Sequence, residues 1–260
     1  MVRVQNGQDT FFRGERQELI VEARHGSIAA MKIPLTRYGL PQVAVFPAII
    51  VGVMAFCQFV MLRYCVGWIC GAVWMLQGLL LVLLVWVLSF FRDPERKTPQ
   101  GDNLLISPAD GTITDVEAVE GCQYIEGPAI RISIFLSIFS VHINRSPCAA
   151  VVEGTQYKKG QFRDARHKDS SRVNESNDVV MTRLAEPKDR LVVRQISGAV
   201  ARRIVCGAKK GDSLAAGQRF GMIKFGSRTD LYLPARPNAR IIVKPGDKVR
   251  AGLDVLARYE

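Results

Sequence analysis

Residues 43–91 are almost wholly apolar, broken by Arg63-Tyr64 and Gly67 and diluted by Gln58 and Gln77. This is enough for two helices of about 20 residues, each able to cross roughly 30 Å of hydrocarbon. The pattern predicts a helical hairpin over 43–62 and 66–90. Beyond Arg92-Asp93-Pro94 it changes to short apolar runs between Gly, Pro and Asp, which read as strands. These runs are 115–119, 129–136, 150–153, 178–184, 191–196 and 240–243. Helical periodicity is scarce there, so a mainly β domain is expected over 92–260.

A weak repeat lies inside that domain. Lys210-Gly211-Asp212-Ser213-Leu214-Ala215-Ala216-Gly217 and Lys244-Pro245-Gly246-Asp247-Lys248-Val249-Arg250-Ala251-Gly252 are near copies of one turn. Ser107–Ile113 and Gln195–Val200 each lead a turn into a strand. Such turns resemble barrel-sandwich domains of the lipoyl and biotinyl carrier kind, so the fold class expected is a barrel-sandwich-like, α+β domain behind an apolar hairpin. A carrier needs a lysine at the hairpin tip between its halves, and none is found. Residues 1–42 are read as a polar tail. Its first 30 residues have mixed charge and no apolar core of a signal peptide, and the segment from Met31 resembles an amino terminus in its own right.

Composition changes this picture in two ways. The net charge of +11 over 260 residues would suggest nucleic acid for a soluble protein, but beside a membrane-length apolar segment it suits an anionic lipid surface. No zinc-knuckle or aromatic-rich basic motif supports nucleic acid. Lys32 and Arg37 precede the hairpin, and Arg92, Arg96 and Lys97 follow it. The positive-inside rule therefore puts both flanks, and the β domain, on the cytoplasmic side of the cell's inner membrane. A hairpin lying in one leaflet fits the same sequence. The six cysteines form no CxxC or Cys/His cluster and read as small buried hydrophobes in a reducing compartment.

The candidate chemistry centres on Lys224-Phe225-Gly226-Ser227-Arg228-Thr229-Asp230. Gly226 has no Cβ, so its peptide can adopt angles that leave the carbonyl open. Ser227 brings a hydroxyl on the residue that follows that carbonyl. Attack by the hydroxyl would turn the amide into an ester. Elimination and hydrolysis would then cut the chain and leave a ketone on the new end. Of the three histidines, His25 falls in the tail and His167 in a polar loop. His142 lies where the apolar run 132–136 gives way to a loop, a place for a base near neutral pH. Asp110 opens an Asp-Gly turn. It gains a chemical role only if it orients His142 toward Ser227. Arg145, Lys158, Lys159, Arg228 and Arg236 are basic candidates for a phosphate contact, and none stands out.

SPADGTI, FSVHINRSP, RVNESN and KFGSRTDLYLP, in that order behind an apolar hairpin, resemble bacterial phosphatidylserine decarboxylases, in particular the shorter proenzymes. The resemblance implies a self-cleaving proenzyme. Its large β chain would end at Gly226, and its small α chain would begin with a pyruvoyl group made from Ser227. It also implies a self-processing triad of Ser227, His142 and Asp110, with phosphatidylserine as substrate and no pyridoxal phosphate or metal. The two pieces would form a heterodimer; a homo-oligomer is left open. Longer relatives carry a second histidine where Phe139 stands here, so its role would pass to His142 or water. A different phosphoserine lipid as substrate, or a non-catalytic membrane-tethered adaptor, are the alternatives.

Overall fold

The computed structural model describes residues 35–64, 67–120, 122–167, 169–199, 203–224 and 226–260. The tail expected over 1–30, and with it His25, lies outside them. Helices α1 (Leu40–Tyr64) and α2 (Trp68–Phe90) form the expected hairpin. A short 3-10 turn, Arg37–Gly39, leads in and is capped by Thr36, whose Oγ1 accepts from the Tyr38 amide at 3.2 Å. The base of the hairpin closes where the Thr36 amide donates to the Phe91 carbonyl at 2.9 Å and Leu35 bridges Arg92. This is why α1 begins ahead of residue 43.

Both helices are long and apolar enough to cross a membrane. Their large side chains point outward: Phe56 is 67% exposed and Leu79 66% exposed. Leaving that much apolar surface in water costs about 25 cal/mol per Å², so a lipid surrounding is the physically consistent one. The part that is buried lies at the base. Ile50, Val87, Phe90 and Phe91 pack against Val141, Ile143 and Met222 of the β domain.

The domain is built from β1 (Leu104–Ile106), β2 (Gly111–Val119), β3 (Ala129–Leu136), β4 (Ile143–Arg145) and β5 (Ala150–Lys158). A one-turn helix α3 (Ser170–Val173) precedes β6 (Ser176–Arg183), β7 (Arg190–Ser197), β8 (Arg203–Cys206), β9 (Ser213–Leu214) and β10 (Arg219–Lys224). Last come β11 (Ser227–Pro234), β12 (Ala239–Ile241), β13 (Lys248–Val249) and β14 (Val255–Tyr259). The expected strands are present, several of them longer than the apolar runs that announced them, because pairing extends them into polar sequence. Sequence patterning missed β1, β4, β8, β9, β10, β13 and β14, which are short or mixed in polarity.

The main sheet runs in the order β13-β2-β3-β11-β7-β6-β5-β9, antiparallel throughout and curled into a half-barrel. Two small sheets, β4-β10-β8 and β1-β14-β12, complete the domain. This bears out the mainly β class. The strand that begins at Ser227 lies in the middle, with Ser227 opposite Leu136 on β3 and opposite Ser197 on β7. Its apolar residues Leu231 and Leu233 enter one core cluster with Ile132, Ile134, Val193 and Leu256.

The repeated turns are alike in structure. Asp212 accepts from the Lys209 amide at 2.8 Å, and Asp247 accepts from the Lys244 amide at 2.9 Å. The cysteine reading needs a correction: Cys57, Cys122, Cys148 and Cys206 are free, but Cys70, at the start of α2, is disulfide-bonded.

Candidate active site

The site lies where the base of the hairpin meets β4, β10 and the start of β11. β10 ends at Lys224, and the chain bends through Gly226, whose φ of +54° is in the region that favours glycine. A second glycine makes the bend possible. A Cβ placed on Gly198 would stand 2.3 Å from the Gly226 carbonyl oxygen, so only glycine lets the turn after β7 pass beside the peptide bond expected to break. Sequence reading saw the turn there and missed this role. Gly198→Ala is expected to displace that carbonyl and slow the cut at 226–227 by at least tenfold. Gly154→Ala on β5, where an added Cβ meets nothing within 4 Å, should leave the cut unaffected. A time course of the two pieces on a denaturing gel checks both.

Ser227 is fully buried, and its Oγ has no hydrogen-bond partner among the described residues. A buried hydroxyl without a partner is rare enough to call for a chemical reason. His142 is equally buried. It leads into β4, and its carbonyl accepts from the Ile223 amide at 3.2 Å, which places it beside the end of β10. The bond from Asn144 Nδ2 to Thr229 Oγ1, at 3.1 Å, pins β4 against β11. The Asn144 Oδ1 in turn accepts from Gln195 at 2.9 Å.

The imidazole is oriented from one side. Its Nδ1 is 2.9 Å from the Ser140 carbonyl, which can only accept, so the hydrogen sits on Nδ1 and Nε2 keeps its lone pair. That Nε2 is buried and without a hydrogen-bond partner. The ring of Phe90, from the last turn of α2, lies against the imidazole with centroids 4.4 Å apart. Burial pushes the histidine down to about 4, and the Arg92 charge acts in the same direction. At neutral pH this side chain is an uncharged base.

The hydrogen bonds of Asp110 go elsewhere in this structure. Both carboxylate oxygens are taken by Arg96, at 2.5 and 2.8 Å, and Oδ1 also accepts from the Ala251 amide at 2.8 Å. The Arg96 guanidinium donates to the Ala251 carbonyl as well, at 2.6 Å. Asp110 thus ties the turn before β2 to the turn after β13, that is, to the segment beyond Gly226. Asp110→Asn removes one charge of a buried pair, a change worth about 3 kcal/mol. The expected result is a lower thermal midpoint together with slower self-cleavage. Slower cleavage at an unchanged midpoint would point to a direct relay instead.

The basic candidates are also sorted by the structure. Arg145 is bound to Asp93, Arg228 to Asp230 and Asp115, and Arg236 to Asp189. Lys158 is exposed and donates to the Arg172 carbonyl. Phe139 is exposed on the loop before His142, with its carbonyl held by Arg92 at 2.7 Å. His167 is exposed and faces Asp169. No group of three or more His, Cys, Asp or Glu side chains placed to hold a metal occurs among the described residues.

Residues 83–257 match the phosphatidylserine decarboxylase family over two thirds of the chain. The chain belongs to the phosphatidylserine decarboxylase family. The phosphatidylserine decarboxylase proenzyme of Carboxydothermus hydrogenoformans is 44% identical over 184 residues, spanning 70% of this chain and 84% of that one. The proenzyme of Symbiobacterium thermophilum is also 44% identical, over 185 residues and 84% of its length. Within the family match fall the bend at Gly226, the buried Ser227 and His142, Asp110, and the last turns of α2. The preceding turn and α1 lie ahead of it, although they pack on the same site.

Proposed function

We propose that this chain cuts its own backbone between Gly226 and Ser227 and then converts phosphatidylserine to phosphatidylethanolamine with the pyruvoyl group so made. Family membership supports the decarboxylation. One observation carries the self-cleavage: a buried, unpartnered Ser227 hydroxyl follows a peptide bond bent at glycine, and a buried, unpartnered His142 Nε2 belongs to the segment bonded to Ile223, three residues before that glycine.

The chemistry follows from these groups. Nε2 takes the hydroxyl proton as Ser227 Oγ attacks the Gly226 carbonyl carbon. The C–N bond breaks as nitrogen takes a proton, leaving an ester and a free amine at residue 227. Loss of the α hydrogen of residue 227 and of the Cβ–Oγ bond releases Gly226 as a carboxylate. Water then enters, ammonia leaves, and the new end carries a ketone. A buried, neutral imidazole suits the first step, since a charged one could not accept the proton.

Once formed, the ketone supplies an electron sink for an α-amino carboxylate, as pyridoxal phosphate does in other enzymes. The protein's own residues hold it in place. β11 is hydrogen-bonded along both edges, and Leu231, Leu233, Val249, Leu256 and Tyr259 stay in the shared core. The cut pieces therefore remain one folded unit, a heterodimer of residues 1–226 and 227–260.

A diacyl substrate stays in the bilayer, so the site must sit at headgroup depth. The apolar hairpin, whose base forms one wall of the site, supports that placement. Arg92, Arg96 and Lys97 at its exit support a cytoplasmic domain. The disulfide at Cys70, near the far tip, suits an oxidising compartment on the opposite side. Mass spectrometry of purified protein is the direct test. The expected result is a large piece ending at Gly226 and a small piece whose first residue is pyruvoyl. Active protein with the 226–227 bond intact would overturn the reading.

A further inference from the structure

The junction beside the candidate active site holds two cations that the mechanism above does not use. Lys224 ends β10, two residues before Gly226, and is only 5% exposed. Its Nζ donates to a neutral group, Gln42 Oε1 on α1, at 2.8 Å. Arg203, at the start of β8, is its direct cross-strand neighbour and is exposed. Directly paired residues on antiparallel strands share a face, and like charges so placed repel. Burial, and then the Arg203 charge, push the Lys224 ammonium below its usual range. Among the described residues neither cation has a carboxylate partner. By contrast Arg96, Arg131, Arg145, Arg194, Arg228 and Arg236 are each paired to an acid.

A buried ammonium beside a second cation, answered only by an amide oxygen, is an arrangement that an incoming anion would relieve. Its position says which anion. It lies at the base of the membrane hairpin, on the strand that runs into the reacting peptide. In a serine phospholipid the amine is four bonds from phosphorus, on the order of 5 Å by ordinary bond lengths. An amine reacting at residue 227 therefore leaves its phosphate on the order of 5 Å from that residue, and Lys224 ends the strand that leads into the bend just before it.

We propose that Lys224, assisted by Arg203, binds the phosphodiester of the lipid headgroup, and that Gln42 of α1 holds the ammonium until substrate arrives. This rests on the decarboxylase reading above and adds to it the group that selects a phosphorylated serine. Lys224 is a binding residue here; the covalent steps stay with Ser227 and His142.

The test uses the full-length enzyme in mixed vesicles of phosphatidylserine and phosphatidylcholine, following carbon dioxide release. Lys224→Met should raise KM by about tenfold, the usual scale for losing one charge-assisted hydrogen bond, with self-cleavage and kcat within about twofold. Lys224→Arg should recover most of the loss. Arg203→Gln, an exposed change that the fold tolerates, should raise KM by about threefold and more so at low salt. A phosphate-free serine amphiphile should be turned over equally by the original enzyme and Lys224→Met. An unchanged KM for phosphatidylserine in Lys224→Met, or an equal loss on the phosphate-free amphiphile, overturns the proposal. Inorganic phosphate competing as well as lipid would assign the cations to free phosphate and overturn the headgroup assignment. An unaltered enzyme that stays uncut and releases no carbon dioxide would instead overturn the decarboxylase reading.

Discussion

Ser227→Ala leaves the chain whole and inactive: one band of 28.9 kDa on a denaturing gel, and decarboxylation reduced by about 10⁴-fold or more. Alanine lacks the oxygen that attacks the Gly226 carbonyl, and the same oxygen's departure is needed to make the ketone, so one change removes both reactions. The fold should be unaffected. Ser227 Oγ has no partner to lose, and replacing an unpartnered buried hydroxyl with a methyl group removes a desolvation penalty of about 1–3 kcal/mol. The variant is thus expected to melt at or above the temperature of the unaltered, uncut chain. Mass and melting curve together check this. An uncut Ser227→Ala protein that still released carbon dioxide would show that the electron sink is made elsewhere.

His142→Ala should slow self-cleavage by about 10²- to 10⁴-fold, the usual contribution of a placed general base. The pH dependence distinguishes this base from an ordinary histidine. Its acidity is shifted from 6.5 to about 4, so it stays uncharged, and processing should be flat from pH 8 to about 5. Below about 4 the rate should fall tenfold per unit. A histidine at its ordinary value would begin to fail near 6.5.

Stability carries the same signature. The unfolded chain binds a proton below 6.5 that the folded chain refuses until about 4, so the unfolded state binds more protons in that window. Stability then declines as pH falls through it and levels off below about 4, by about 3 kcal/mol in all. His142→Gln should flatten that slope in a denaturation series. Phe90→Ala opens the imidazole to water, and the midpoint of the rate profile should move up toward 6.5. Because Phe90 belongs to α2, that result would also show the apolar hairpin tuning the base.

The parts of this protein that could be read from residue order are those set by local chemistry. An apolar stretch of membrane length is a hairpin whatever follows it, because unpaired backbone groups are not tolerated in hydrocarbon. Asp and Gly at matched spacings make the same turn twice, because the carboxylate bonds to a nearby amide in both. Gly226-Ser227 was legible because the two groups that the proposed acyl shift joins are adjacent in the chain. Short strands such as β4 and β8 were invisible, since their few residues are chosen by neighbours in space and carry no period of their own.

The assembled fold decided the partners of each charged or basic group. Nothing along the chain says that Asp110 turns to Arg96 and Ala251, that a backbone carbonyl at Ser140 holds His142, or that Phe90 covers it. Nor does it say that of several arginines read as equals most are neutralised, while Lys224 and Arg203 are left facing each other with no acid partner among the described residues. The physical reason is range. Backbone strain and helix length act over a few residues, whereas a side chain's charge state and partner depend on burial and on groups brought close from far along the chain.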